Sequence, residues 1–187
     1  QIIKKNIGEL TFYNDYKIEN EINDDIFIKE IEHNKIVIVN GKVQQFNFEY
    51  EESDKINITI LDTLNQNLNQ DNSLLSLNNS FSNKIHNILV KKNYSLKKPL
   101  IIYQITDEKV SNTNINFQLN FDLEESSSIK IVNFSEDNSE KNFINNLFNF
   151  NLDKNAILKN YKIDKKNNTN IKYDYSSITQ KENSISE

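Results

Sequence analysis

The chain has 187 residues and a formal net charge of −5, with 36% hydrophobic and 26% charged residues and no cysteine, methionine or tryptophan. That length buries a sizeable core, as one domain or one domain with a small lead-in. All 22 basic residues are lysine and the acidic residues outnumber them, so the electrostatic footprint of a nucleic-acid binder is missing. Without cysteine there is no disulfide, thiolate nucleophile or thiolate metal ligand. No apolar stretch approaches the roughly 20 residues that cross a bilayer, and residues 1–10 lack the apolar core of a signal peptide. The chain therefore reads as cytoplasmic, with neither nucleic acid nor membrane as a partner.

β-Branched residues dominate 25–31 and again 35–39, which predicts two strands. Asn40-Gly41 follows, and because both residues tolerate positive φ it is the strongest short turn signal in the chain. Residues 42–50 continue as a third strand, with Val43, Phe46 and Phe48 available for burial. Ile56, Ile58 and Ile60 alternate with Asn57 and Thr59, the pattern of a half-buried strand.

Over residues 62–81 the alternation gives way to leucines at 64, 68, 74, 75 and 77, spaced as a helical stripe. This predicts a helix with Asp71 as its N-cap, although a loop with a single helical turn fits nearly as well. The strand signal resumes with Ile85, Ile88 and Val90, then with residues 99–105, where Pro99 suits the entrance of a strand.

Beyond Thr106 the pattern repeats. Ile115, Phe117, Leu119, Phe121 and Leu123 alternate; Ile129, Ile131 and Phe134 follow, then 147–152, 157–163 and 171–178. A sandwich and a solenoid both fit this recurrence. Two features favour the solenoid. Only two glycines are present, so the connections must be asparagine, aspartate and serine turns, and the inward set is rich in stackable Ile, Leu and Phe. Asparagine-rich tracts at 65–72 and 167–170 read as compositional bias, since apolar residues recur between the asparagines at strand period. With no initiating methionine and a strand pattern still running at 171–178, the chain reads as a fragment of a longer protein.

Candidates for chemistry are few. His33 and His86 are the only histidines and share no ligand spacing, so they read as one exposed residue at a strand end and one on a strand face. Glu30 and Glu32, Glu51 and Glu52, and Asp122, Glu124 and Glu125 form local acidic groups of the kind usually found on solvated faces and turns. Gly8 and Gly41 lie too far apart for a phosphate-binding glycine loop. No catalytic, cofactor-binding or metal-binding residue is assigned, and the chain is expected not to be an enzyme.

Leu77-Asn78-Asn79-Ser80-Phe81, then Lys98-Pro99 opening an apolar strand, then Asn155-Ala156-Ile157-Leu158-Lys159-Asn160-Tyr161-Lys162 form an ordered set of motifs. In order and approximate spacing this set resembles the SufB/SufD family of iron-sulfur cluster assembly scaffolds, most closely its SufD side. The run 36–41 resembles the family's strand and Asn-Gly turn, and Phe143-Ile144-Asn145-Asn146 a strand entry. Ser80 stands where the family usually has alanine, and the arginine usual after the Pro99 strand has no counterpart.

The resemblance implies a right-handed parallel β-helix preceded by a small α+β lead-in, with 1–83 as the lead-in region and 84–187 as a β-helix core incomplete at its C-terminus. It also implies a non-catalytic scaffold subunit working with a SufB-like subunit and a SufC-like ABC ATPase, within a complex that assembles an iron-sulfur cluster. The family's cluster ligands lie toward the far end of the helix and are assigned to no residue here. A polysaccharide-active β-helix enzyme is an alternative, disfavoured by the absence of arginine and of clustered aspartates. A structural solenoid or adhesin is another, and unequal strand spacings after Thr106 argue against strict repetition. A solenoid cut between coils would expose an apolar stack end, so the isolated chain is expected to self-associate near 171–178.

Overall fold

A computed structural model describes residues 11–12, 24–61, 72–82, 84–165 and 169–187. In chain order the elements are β1 (Thr11–Phe12), a 3-10 turn (Asp24–Ile26), β2 (Asn34–Val39), β3 (Lys42–Asn47), β4 (Ile56–Leu61) and α1 (Ser73–Phe81). There follow β5 (Ile85–Val90), β6 (Leu100–Thr106), β7 (Thr113–Leu123), β8 (Ser128–Asp137), β9 (Phe143–Leu152), β10 (Ile157–Lys165), β11 (Ile171–Gln180) and β12 (Ile185–Ser186).

From β5 onward successive strands alternate between two sheets. One runs β11-β9-β7-β5-β4, with β1 beside β7; the other runs β12-β10-β8-β6-β2-β3. The pairs along both are parallel, except β4 with β5 and β2 with β3 at the N-terminal ends. The described residues form a mainly β parallel solenoid of about three turns with one short α-helix among them. Hairpin-connected sandwiches need antiparallel neighbours, so the sandwich reading is excluded.

Later coils repeat with little variation. Residues stacked on one another in successive coils lie 29 apart in Asn120 and Asn149, and 28 apart in Lys154 and Glu182. Each coil carries two strands joined by unlike corners, so consecutive strands look unevenly spaced while strands of one sheet recur regularly. The argument against strict repetition made from strand spacing therefore does not hold for these coils.

The corners show how a chain so poor in glycine makes its turns. Asn93, Ser126, Asn155 and Asn183 all adopt φ between 56° and 58° at corresponding corners, and Asn112 and Lys141 adopt φ of 52° and 59° at the opposite one. Asparagine tolerates this left-handed region because its short amide compensates locally. Corners also bond to one another: the amides of Asn93, Ser126 and Asn155 donate to the carbonyls of Glu125, Lys154 and Glu182. Alongside run ion pairs Lys92–Glu125 at 2.6 Å and Lys154–Glu182 at 2.9 Å.

Between the sheets lies the main core, where Ile36, Ile38, Leu100, Ile102, Ile129, Ile131 and Leu158 face Ile88, Val90, Phe117, Leu119, Phe121, Leu123, Phe148, Phe150 and Leu152. Phe121 stacks on Phe150 with ring centroids 5.3 Å apart. At the N-terminal end β3 and β4 close this core, with Val43, Phe46 and Ile56 packed against it.

The predicted strand at 25–31 is not formed. A 3-10 turn leads into an irregular segment in which Ile26, Phe27 and Ile28 cover an outer apolar face built from Val37, Val39, Ile101, Tyr103, Ile105 and Phe134. The amide of Ile28 donates to the Tyr103 hydroxyl at 3.0 Å, a side-chain partner in place of a ladder. The predicted helix is present as α1, but its N-cap is Asn72, whose side-chain oxygen accepts from the amides of Leu74 and Leu75. Asp71, Leu64 and Leu68 lie outside the described residues. Helix α1 packs on the outside of the first sheet against β7 and β9. No helix among the described residues is long and apolar enough to cross a membrane.

Candidate interaction surface

Parallel pairing puts register partners on the same side of a sheet, so each inward column can be followed coil by coil. In the first sheet the columns run Ile115–Ile144–Lys172, Phe117–Asn146–Asp174, Leu119–Phe148–Ser176, Phe121–Phe150–Ile178 and Leu123–Leu152–Gln180. In the second they run Leu100–Ile131–Asn160, Ile102–Asn133–Lys162, Gln104–Ser135–Asp164 and Ile129–Leu158–Ser186. Eight of these nine columns end on a polar or charged side chain. Polar side chains already enter the interior at Gln104, Asn133, Ser135 and Asn146, and they occupy nearly all of it in the last described coil.

Charges of that coil interlock across the two sheets. Lys172 Nζ lies 3.0 Å from Asp164 Oδ1 and donates to Ser135 Oγ at 2.6 Å, while the Ser135 hydroxyl donates to Asp164. Lys162 reaches both Asp164, at 2.9 Å, and Asp174. Asn146 Nδ2 donates to Asp174 Oδ1 at 2.7 Å and to Gln104 Oε1 at 2.8 Å, tying the cluster to the layer above.

Burial is the largest single effect on the Asp164 carboxyl and works to raise its pKa. The Ser135 hydroxyl and the Lys162 and Lys172 ammoniums together outweigh it and hold the group at about 2. Nearby Asp137 shifts the other way: burial pushes it up, and Asp164 and Asp174 add to that against Lys172 and Asn170. A cavity of about 10 Å³, the size of a single water, lies beside Asp137, Lys172, Asn146 and Gln104.

The outside of the same coil is apolar. Tyr161, Ile163 and Ile185 project from the second sheet and Ile171 from the first, all exposed. Tyr161 and Ile163 extend the outer face that Ile26–Ile28 cover farther up, so this apolar surface is continuous with a buried one. The apolar stack end expected at 171–178 is absent: of the inward residues there only Ile178 is apolar, because Lys172, Asp174, Ser176 and Gln180 occupy the other columns.

Residues singled out in the sequence sit elsewhere. His33, just before β2, accepts at Nε2 from the Tyr103 hydroxyl at 2.9 Å, and its Nδ1 lies 2.8 Å from the Ile31 carbonyl, which assigns the proton to Nδ1. His86 is on β5 in the column of Leu119, its ring 5.2 Å from that of Phe46. Burial, then Lys84, lower its pKa.

The structure brings Glu32, Glu51 and Glu52 to the Lys97-Lys98 segment. Glu32 pairs with Lys98 at 2.6 Å and Glu52 with Lys97 at 3.0 Å. Glu51 accepts from Asn34 Nδ2, the Tyr94 hydroxyl and the amides of Lys97 and Lys98. Burial opposes ionisation of Glu51, but those four donors together hold its carboxyl below the usual range. Such a carboxylate fastens a loop and is saturated as an acceptor. Glu30 is exposed and its Oε2 accepts from the amide of Lys29, while Asp122 is held between Asn87 and Asn151, and Glu124 and Glu125 face Lys91 and Lys92. Gly8 lies outside the described residues.

Sequence reading missed Ser135, Asp137, Lys162, Asp164, Lys172 and Asp174. Aligning the chain with itself at an offset of 28 or 29 would have set Lys162, Asp164, Lys172 and Asp174 in register with Asn133, Ser135, Ile144 and Asn146. No family model matches the chain, and a search of curated proteins finds no match to it.

Proposed function

We propose that this chain is a SufD-like scaffold subunit, non-catalytic by itself, that works in the cytoplasm with a SufB-like subunit and a SufC-like ABC ATPase in iron-sulfur cluster assembly. The observation that carries this reading is the placement of the resembling motifs in a parallel β-solenoid, the fold that the resemblance implies. Asn78 pins α1 to the outside of the first sheet through the Phe117 and Asn145 carbonyls. Lys98-Pro99 leads into β6, and Asn155-Ala156 turns the corner into β10. A stack of parallel coils suits a subunit that presents surfaces to partners, and the exposed Tyr161, Ile163 and Ile185 offer one. The cluster is cargo of the assembled complex, and none of its ligands is assigned here. Affinity purification of the tagged full-length gene product from the native cell is expected to recover both partners. Recovery of a clean monomer with neither removes the proposal.

One observation favours a second reading, a structural solenoid or adhesin: the 28- and 29-residue coils stacked by amide pairs such as Asn149–Asn120 and Asn133–Asn160. On that reading the native protein is found outside the cell, in the culture medium or at the surface.

A further inference from the structure

The two sheets differ on their outer faces. Between its inward columns β7 turns Asn114, Asn116, Gln118, Asn120 and Asp122 outward, all of them polar. The second sheet does the opposite: Val37 and Val39 of β2, Ile101, Tyr103 and Ile105 of β6 and Phe134 of β8 form one buried apolar cluster on its outside. A strap of residues 24–33 covers them, and it is a slight cover. Ile26, Phe27 and Ile28 are themselves half-buried, residues 29–32 are exposed, and the strap joins no ladder. The Ile28 amide on the Tyr103 hydroxyl and the Phe27 ring against that of Tyr103 hold it down.

Two lysines border this face without a carboxylate partner among the described residues. Lys35 precedes Val37 on β2, its ammonium 4.3 Å from the centre of the Phe27 ring, and Lys130 precedes Val132 on β8 and is exposed. The strap answers the apolar floor but not these charges, since its Asp25 is paired with Lys29 at 2.8 Å. We infer that the outer face of the second sheet is a docking site for a peptide segment of a partner protein, which the strap occupies in cis until that segment displaces it. The segment carries an aromatic residue between two aliphatic ones, with carboxylates beside them. Ile26-Phe27-Ile28 shows the apolar part of this pattern seated on the floor. Lys35 and Lys130 offer a carboxylate-bearing segment the opposite charge that the strap leaves unused, which favours the incoming segment over the resident one. An occupant in cis lowers the apparent affinity for a competitor by the fraction of time that it is seated, so the strap sets the threshold for docking. The inference stands independently of the scaffold reading.

Fluorescence anisotropy with a labelled synthetic peptide and the 187-residue chain is the test. The probe has the sequence of residues 24–31 with Lys29→Glu, so that Asp25 loses its partner and a further carboxylate is present. A Phe27→Ala chain, its strap weakened, is expected to bind the probe at least about 10-fold more tightly than the unmodified chain. Adding Lys35→Glu and Lys130→Glu to that chain is expected to weaken binding at least about 10-fold. Equal affinities in either comparison overturn the inference, as does no binding to any of the chains. If Phe27→Ala does not fold, amide exchange on the unmodified chain decides. Saturating probe is expected to quicken exchange at Ile28 while β6 stays protected, and unchanged exchange at Ile28 overturns the displacement. An unmodified chain that sediments as a dimer and exchanges straps between copies makes the occupant a second copy, and the inference of a partner protein falls.

Discussion

Asn78 in the helix and Asn145 in β9 bind each other's backbone neighbourhoods. Asn78 Nδ2 donates to the Asn145 carbonyl at 2.6 Å, and Asn145 Nδ2 donates to the Leu74 carbonyl at 2.9 Å. Asn78 also donates to the Phe117 carbonyl and accepts from the Ser82 hydroxyl, with no part of it exposed. Truncation strands several buried polar groups at once, each worth about 1–3 kcal/mol when left unpaired. Asn78→Ala is therefore expected to destabilise the fold by about 3 kcal/mol, read as a lower urea midpoint at unchanged slope.

Gly41 tests the turn between β2 and β3. Its φ is +78°, and a Cβ there would lie 2.8 Å from the Asn116 carbonyl oxygen and 3.0 Å from the Ile115 side chain. Backbone cannot yield as a side-chain tip can. Gly41→Ala is expected to cost about 2 kcal/mol or more, and differential scanning calorimetry would register it as a lowered melting temperature.

Corner asparagines make a sign-specific prediction. Asn155 sits at φ 57° with its amide bonded to the Glu182 carbonyl. Asn155→Gly keeps that backbone accessible and is expected to change stability little. Asn155→Val is expected to lose about 1–2 kcal/mol, since a β-branched side chain resists the left-handed region. Equal losses for the two would mean that the side chain, not the backbone, sets the corner.

Acid should act on the cluster of Lys162, Asp164, Lys172 and Asp174. The Asp164 carboxyl is held at about 2, below the ordinary aspartate value of 3.8, so its stabilising contribution is complete above the higher value and disappears as pH falls through the lower. Asp137 is raised, so its charged form works against the fold and protonation relieves that cost. Urea midpoints measured from neutral pH down to about 2 are expected to drop most steeply over the last two units. Asp164→Asn should flatten that drop.

Tyr103 joins the lead-in to the second sheet. Its hydroxyl accepts from the Ile28 amide and donates to His33 Nε2, while its ring meets Phe27 edge-on at 5.0 Å. Tyr103→Phe keeps the ring and removes both hydrogen bonds, an expected loss of about 1–2 kcal/mol. Amide exchange at Ile28 should quicken beyond what global unfolding explains.

Strand position was most legible in β7, where alternation and burial coincide: Ile115, Phe117, Leu119, Phe121 and Leu123 are all buried. Residues 25–31 misled because an apolar, β-branched segment covering an outer face has the same composition as a strand within one. The missed cluster has a different cause. Lys162, Asp164, Lys172 and Asp174 read as solvated surface when taken singly, and only register between coils reveals that they point into the lumen. Repeat length was hidden in a similar way, since corners of two kinds alternate.

Lysine and glutamate alternate down one corner column, Lys92, Glu125, Lys154 and Glu182. A misthreaded chain that skipped one turn would set Lys92 against Lys154 and Glu125 against Glu182. Near-identical turns are prone to such slippage, and this column makes the slipped arrangement repel itself, a proofreading device written in surface charge.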